Sequence, residues 1–190
     1  MERRASGVWV VRLLGMCGGV FLLAFVQAPE VKKPTEPLKT PPRAYFTDHC
    51  QRCHGTDGDH FIPGFADEPE AKLRADIVRM ADGPGGASLK PEDVDVQMAY
   101  HRLISAQKPF VSWTGRDGLT LKGEVTDGAT LTSNVGTPKL GEDGAWTLIL
   151  PGEVDLAKLR LTAKLGEEKT DFEPSKSAYA RPVEKPKATP

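Results

Sequence analysis

The spacing of apolar residues changes at Phe110, and this change limits what the chain can fold into. Before it, Leu73, Ile77 and Met80 recur at the i, i+4 and i+7 positions of one helix face. After it, short apolar or alternating runs are separated by Asp-Gly and Pro-Gly pairs, which favour hairpin turns. The sequence therefore predicts an α+β protein in which a helical part precedes a β part.

The β part, residues 109–171, contains five or six short strands between turn signals. This spacing is typical of a small β-sandwich or half-barrel. Asp117, Asp127 and Asp143 each precede a glycine and are interpreted as turn residues. The segment contains no His and no Cys, so we expect a structural or docking module without catalytic residues.

Both ends of the chain differ from its middle. Residues 1–28 combine a basic start, an apolar run and the small residue Ala28, which is the pattern of an export signal. Pro29 directly after this cleavage site hinders cleavage, so an uncleaved membrane anchor is the alternative. Residues 29–43 are rich in Pro and Lys and predict an extended linker, and residues 172–190 have the composition of a disordered tail.

Charge and cysteine content exclude some classes of function. The formal net charge is −1 and no basic patch stands out, so nucleic acid is not an expected partner. Of the three cysteines, Cys17 lies in the N-terminal apolar run. One C-x-x-C pair remains, with no disulfide framework.

The segment from Cys50 to Gly55 carries a C-x-x-C-H motif. Two thiols three positions apart lie on about one helical turn, so Cys50 and Cys53 can both reach the vinyl groups of one porphyrin. The next residue, His54, can then present its imidazole to the iron. C-x-x-C-H is the attachment motif of c-type haem, and it predicts one covalent haem c as cofactor.

The cysteine pair has two other interpretations. Thiolates and imidazoles are good zinc ligands, and His49 and His60 lie close in sequence. However, a zinc site usually has a second ligand pair at a set spacing, and the sequence has none. A thioredoxin-like pair requires a βαβ setting, which is also missing.

Residues 44–107 resemble a class I cytochrome c. Phe46 lies four residues before Cys50, as in the first helix of that family, and Gly55 follows the motif histidine, as it usually does there. Two further stretches resemble the start and the core of the family's last helix: Leu89 to Val94 and Ala99 to Leu103.

The resemblance implies that residues 44–108 form a small all-α cytochrome c domain, to which the β module is appended. In that family the first and last helices cross, with aromatic residues such as Phe46 and Tyr100 at the crossing. Cys50 and Cys53 would form the thioethers, and His54 would be the proximal ligand of the haem iron.

The sequence departs from the family at the sixth, or distal, iron ligand. In the family this ligand is usually a Met shortly before the last helix. The Gly-rich segment Asp82 to Ser88, expected as a loop beside the haem, contains no Met. Met80 is the candidate distal ligand, and a core position on its helix is the alternative. Met98 is expected in the core, His60 in an exposed loop, and His101 at a packing or surface position.

The resemblance implies an exported monohaem cytochrome that carries single electrons, in the periplasm or on the outer face of the membrane. Its expected partners are redox proteins, and one form of the hypothesis makes the chain a subunit of an envelope redox complex. The membrane is a further expected partner, through residues 1–28. No catalytic residue is predicted, and whether the protein is an enzyme stays open. The alternative is a haem enzyme or a protein that binds a gas or peroxide at an open distal site. A third hypothesis is an interaction module that holds a metal without haem.

Overall fold

A computed structural model describes residues 36–56, 58–141 and 143–182. The predicted export signal or anchor, residues 1–28, lies outside these ranges. Within them, no helix combines the length and the apolar character needed to cross a membrane.

Four α-helices occupy the first half of the described chain, and their ends follow from local chemistry. Proline stands in the first turn of α1 and of α4, where its missing N–H costs no hydrogen bond. Acidic residues follow the proline in the first turn of α4, where their negative charges interact favourably with the helix dipole. The helices are α1 (Pro42–His49), α2 (Gln51–His54), α3 (Glu70–Asp82) and α4 (Pro91–Ser105).

Seven strands form two antiparallel sheets in the second half. The first sheet has the order β1-β2-β5-β4 and the second β3-β6-β7. This strand order is also that of seven-stranded sandwiches of the immunoglobulin constant type. The similarity concerns the architecture and implies no function. The strands are β1 (Val111–Asp117), β2 (Thr120–Val125), β3 (Thr130–Ser133), β4 (Lys139–Leu140), β5 (Ala145–Ile149), β6 (Leu161–Leu165) and β7 (Glu168–Phe172).

The helices and the sheets share one hydrophobic core. The Tyr100 ring of α4 meets the Phe110 ring edge-on, with 5.0 Å between centroids. Trp113 and Trp146 of the first sheet and Leu161 of the second belong to the same buried cluster. A smaller cluster joins α3 to α4. The mixed α+β class predicted from the sequence is therefore what the described residues form.

Residues 173–182, which follow β7, differ from the disorder that composition predicts for residues 172–190; residues 183–190 lie outside the described ranges. Trp113 donates its backbone N–H to the carbonyl of Ala178 at 2.8 Å, and Ala180 donates back to β1 at 2.8 Å. Both alanines are buried. Backbone hydrogen bonds to a sheet edge can order a segment that has few large apolar side chains.

Candidate haem-attachment site

The C-x-x-C-H motif forms a single helical turn directly after α1. The Cys50 N–H donates to the Phe46 carbonyl at 2.8 Å, so the motif starts in register with α1. The Cys50 carbonyl in turn accepts from the N–H groups of Cys53 at 3.1 Å and His54 at 3.0 Å. Both thiols are free; Cys53 is exposed and Cys50 half-buried. The two thiols and the imidazole are thus held within one turn.

Gly55 ends this turn in a conformation that favours glycine. Its φ is +76°, and a Cβ at this position would lie 1.7 Å from a carboxylate oxygen of Asp59. The chain can therefore turn away sharply after His54 only because no side chain is present at position 55.

The half-buried imidazole of His54 is positioned by an aromatic neighbour. The Phe61 ring stacks on it with 4.5 Å between centroids and 21° between planes. Burial, and then the nearby charge of His60, lower the pKa of His54 below its usual value. The neutral ring is the form that binds a metal.

The half-buried Cys50 is held in its thiol form. Burial, and then the neighbouring Cys53, raise the pKa of the Cys50 thiol to about 11. In the described ranges, no three His, Cys, Asp or Glu side chains come together in a geometry that could hold a metal ion.

The helix that leads into the motif, α1, packs against α4. The rings of Phe46 and Tyr100 lie 5.3 Å apart, and both residues are buried. This is the contact expected from the sequence, and it fixes the position of the motif against the core.

The Gly-rich segment between α3 and α4 is tied to α1. Tyr45 donates its hydroxyl proton to the Ala87 carbonyl at 2.5 Å, and His49 Nδ1 donates to the Gly85 carbonyl at 3.0 Å. Burial is the main cause that raises the pKa of Tyr45 to about 12. The segment carries no His or Met, so its own side chains include no usual iron ligand.

A small, mostly apolar cavity lies beside the first thiol. Met80 is half-buried at its wall, whereas Met98 belongs to the core and His60 is exposed, as expected for these two residues. The cavity is lined by Tyr45, Cys50, Ile77, Met80, Ala81, Leu89, Gln97 and His101.

Two polar residues that line this cavity are not among the predicted site residues. Gln97 and His101, one helical turn apart on α4, are 1% and 2% exposed. The Gln97 amide donates to the Pro42 carbonyl at 3.0 Å, while its side-chain oxygen has no hydrogen-bond partner among the described residues. Their sequence signal is a polar i, i+4 pair in an otherwise buried stretch of helix.

The donor set fits a covalently attached haem. Two adjacent thiols are available for thioethers, and a neutral imidazole follows on the same turn. Buried aromatic side chains, among them Phe46 and Tyr100, lie between α1 and α4 beside this turn.

Comparison with protein-family models, with curated proteins and with solved structures finds no match to this chain. Assignment of a function therefore rests on the geometry of the motif and on the sequence resemblance.

Proposed function

We propose that this chain is an exported monohaem c-type cytochrome that transfers single electrons. The observation that carries the proposal is the placement of Cys50, Cys53 and His54 on one turn that continues from α1. The packing of Phe46 against Tyr100 supports it, since it fixes that turn at the crossing of two helices.

Each cysteine would attach by adding across one vinyl group. The S–H bond and the vinyl π bond break while a C–S and a C–H bond form, so the step needs no oxidant. His54 would bind the iron through one ring nitrogen. A bound haem supplies one-electron exchange between Fe(II) and Fe(III).

Met80 is the proposed distal ligand. It lies at the cavity that Cys50 also lines, on the half-buried side of α3. If it binds the iron, Met80→Leu removes the sulfur–iron charge-transfer band, whereas Met98→Leu, a change in the core, retains it. A band that persists in the Met80 variant rejects this ligand.

The β part is proposed as a support and docking module for the haem-bearing helices. It contacts α1 through the Glu124 carboxylate, which accepts from the N–H groups of Arg43 and Ala44. The proposed partners are redox proteins of the cell envelope, and residues 1–28 would export the chain or anchor it in the membrane.

The test is to produce the full chain in a host with a c-type maturation system. We expect an increase in mass of one haem per chain and a positive pyridine haemochrome assay. Cys50→Ala and Cys53→Ala each remove one thioether, and the double variant removes covalent haem. His60→Ala, outside the motif, is the matched control and keeps it. A wild-type chain without haem refutes the proposal.

A second candidate, a haem protein with an open distal side, is favoured by the lack of His and Met in the Gly-rich segment. The absorption spectrum separates the two. Six-coordinate low-spin iron supports the electron carrier, and high-spin iron that takes up CO supports the open site.

A further inference from the structure

His101 is a buried imidazole for which the attachment chemistry has no role. It lies on α4, and its Nδ1 is 2.7 Å from the Gln97 carbonyl oxygen. A carbonyl oxygen only accepts, so Nδ1 carries the proton, and Nε2 of the neutral ring keeps its lone pair. His101 is thus a hydrogen-bond acceptor inside the core.

Aromatic neighbours fix the orientation of this acceptor. The Phe46 ring meets the His101 ring edge-on at 5.2 Å, and the Phe61 ring lies 5.5 Å away. Burial is the largest cause that lowers the pKa of His101 to about 4. The ring therefore stays uncharged at neutral pH and remains an acceptor.

The rings of His54 and His101 lie close to each other. Their centroids are 6.5 Å apart and their planes are at 77°. Because each ring reaches roughly 1 Å from its centroid, facing ring atoms can lie roughly 4 Å apart, a gap that one bridging water spans or a small rotation shortens. Phe61 contacts both rings, which keeps them in the same pocket.

A histidine bound to a metal through one nitrogen almost always donates its other N–H to a fixed partner, which sets the ring orientation and makes it a stronger donor. We propose that His101 is a positioning residue for His54: its Nε2 accepts, directly or through one water, the ring N–H that His54 keeps when it binds iron. This inference rests on the proposed function. Its consequence is a lower reduction potential, since a more basic axial imidazole favours Fe(III).

His60 provides the matched control. It is the other histidine that influences His54, but its side chain is 64% exposed and lies in a loop. An exposed ring is not held in one orientation, so its removal should leave the hydrogen bond of His54 unchanged.

The experiment compares full-length, matured wild type with His101→Leu, His101→Gln and His60→Leu. The haemochrome assay first establishes covalent haem, and its failure refutes the proposed function and this inference together. With haem present, His101→Leu should raise the midpoint potential and accelerate solvent exchange of the His54 ring N–H roughly fivefold, as loss of one hydrogen bond implies. His101→Gln retains an acceptor and should restore part of both values. His60→Leu should leave the exchange rate of the His54 ring N–H at the wild-type value.

Two results would overturn the inference while leaving the cytochrome assignment intact. One is a potential and an exchange rate in His101→Leu equal to those of His60→Leu. The other is high-spin iron in His101→Leu, because His101 would then be an iron ligand itself. Nitrogen-15 spectra of the wild type add a check without mutation: a His101 ring protonated at Nε2 and not at Nδ1 also refutes the proposal.

Discussion

The carboxylate of Glu124 on β2 accepts a 2.9 Å hydrogen bond from the backbone N–H of Arg43 in the first turn of α1. Its other oxygen accepts from the N–H of Ala44 at 3.2 Å. The first N–H groups of a helix have no partner within that helix. A side chain of the β part therefore caps the helix that leads into the C-x-x-C-H motif.

Replacing this carboxylate should weaken the whole fold. Glu124→Ala leaves two N–H groups at the start of α1 without their acceptor, and we expect a loss of about 1–3 kcal/mol in the free energy of unfolding. Urea denaturation measures it. Glu167→Ala is the control, because the Glu167 side chain is 99% exposed. Equal stability of the two variants would show that the cap contributes nothing.

Ionised Glu124 also makes stability depend on pH. Burial raises the pKa of Glu124 above 4.5, although the N–H groups of Arg43 and Ala44 act in the opposite direction. The folded protein therefore binds this proton at higher pH than the unfolded chain does. The contribution of this group to stability is fully present below pH 4.5 and is lost as pH rises through the folded-state pKa.

Glu124→Gln isolates this effect because an amide does not titrate. We expect the free energy of unfolding of wild type minus that of Glu124→Gln to increase as pH falls from 7 toward 4.5. Parallel urea titrations across this range measure the difference. A difference that stays constant or decreases contradicts the raised pKa.

Gly123 lies in the centre of the first sheet, between Trp113 and Trp146 on the neighbouring strands. A Cβ there would stand 1.9 Å from the Ser112 carbonyl oxygen and 2.4 Å from the Trp146 ring. Gly123→Ala should therefore destabilise the protein by about 3 kcal/mol or more, or prevent folding. Thermal unfolding measures the loss.

Gly152 gives the matched control for that variant. Its Cβ would meet nothing within 4 Å, and its φ lies outside the positive range. Gly152→Ala should leave the melting temperature unchanged or raise it slightly. If Gly123→Ala melts at the temperature of this control, the close packing of Trp146 on β2 is refuted.

Tyr45→Phe should loosen the Gly-rich segment. The change removes the hydrogen bond to the Ala87 carbonyl but keeps the aromatic ring. We expect a loss of about 1 kcal/mol and faster hydrogen exchange at the Ala87 and Gly85 amides, which bond to the carbonyls at the end of α3. Tyr179→Phe, at the edge of β1, is the control. Unchanged exchange at both amides would contradict the anchoring role.

The helices and most strands could be predicted from local patterns. Proline and acidic residues at the start of α4, and the Asp-Gly turns between strands, act within a few residues of the chain. The two-residue β4 and the largely exposed β7 were harder to predict, since edge strands with few buried residues lack apolar alternation. Order after Phe172 could not be predicted, because it depends on hydrogen bonds to β1.

The placement of Cys50, Cys53 and His54 on one turn could be predicted, because they are neighbours in the chain. The burial of His101 could not be predicted. Its sequence signal, a polar residue four positions after Gln97 on one helix, does not separate a buried position from a surface one, and its 2% exposure results from packing against α1.

By itself the sequence determined that two cysteines and a histidine share one turn and where helix gives way to strand, since both are set by spacing along the chain. Only the tertiary structure decided that the helices and sheets share one core, that Glu124 caps α1, and that two imidazoles lie 6.5 Å apart. Glu124 and Arg43 are 81 positions apart in the chain. Such distant pairs are selected by complementary packing and burial, which no local pattern encodes.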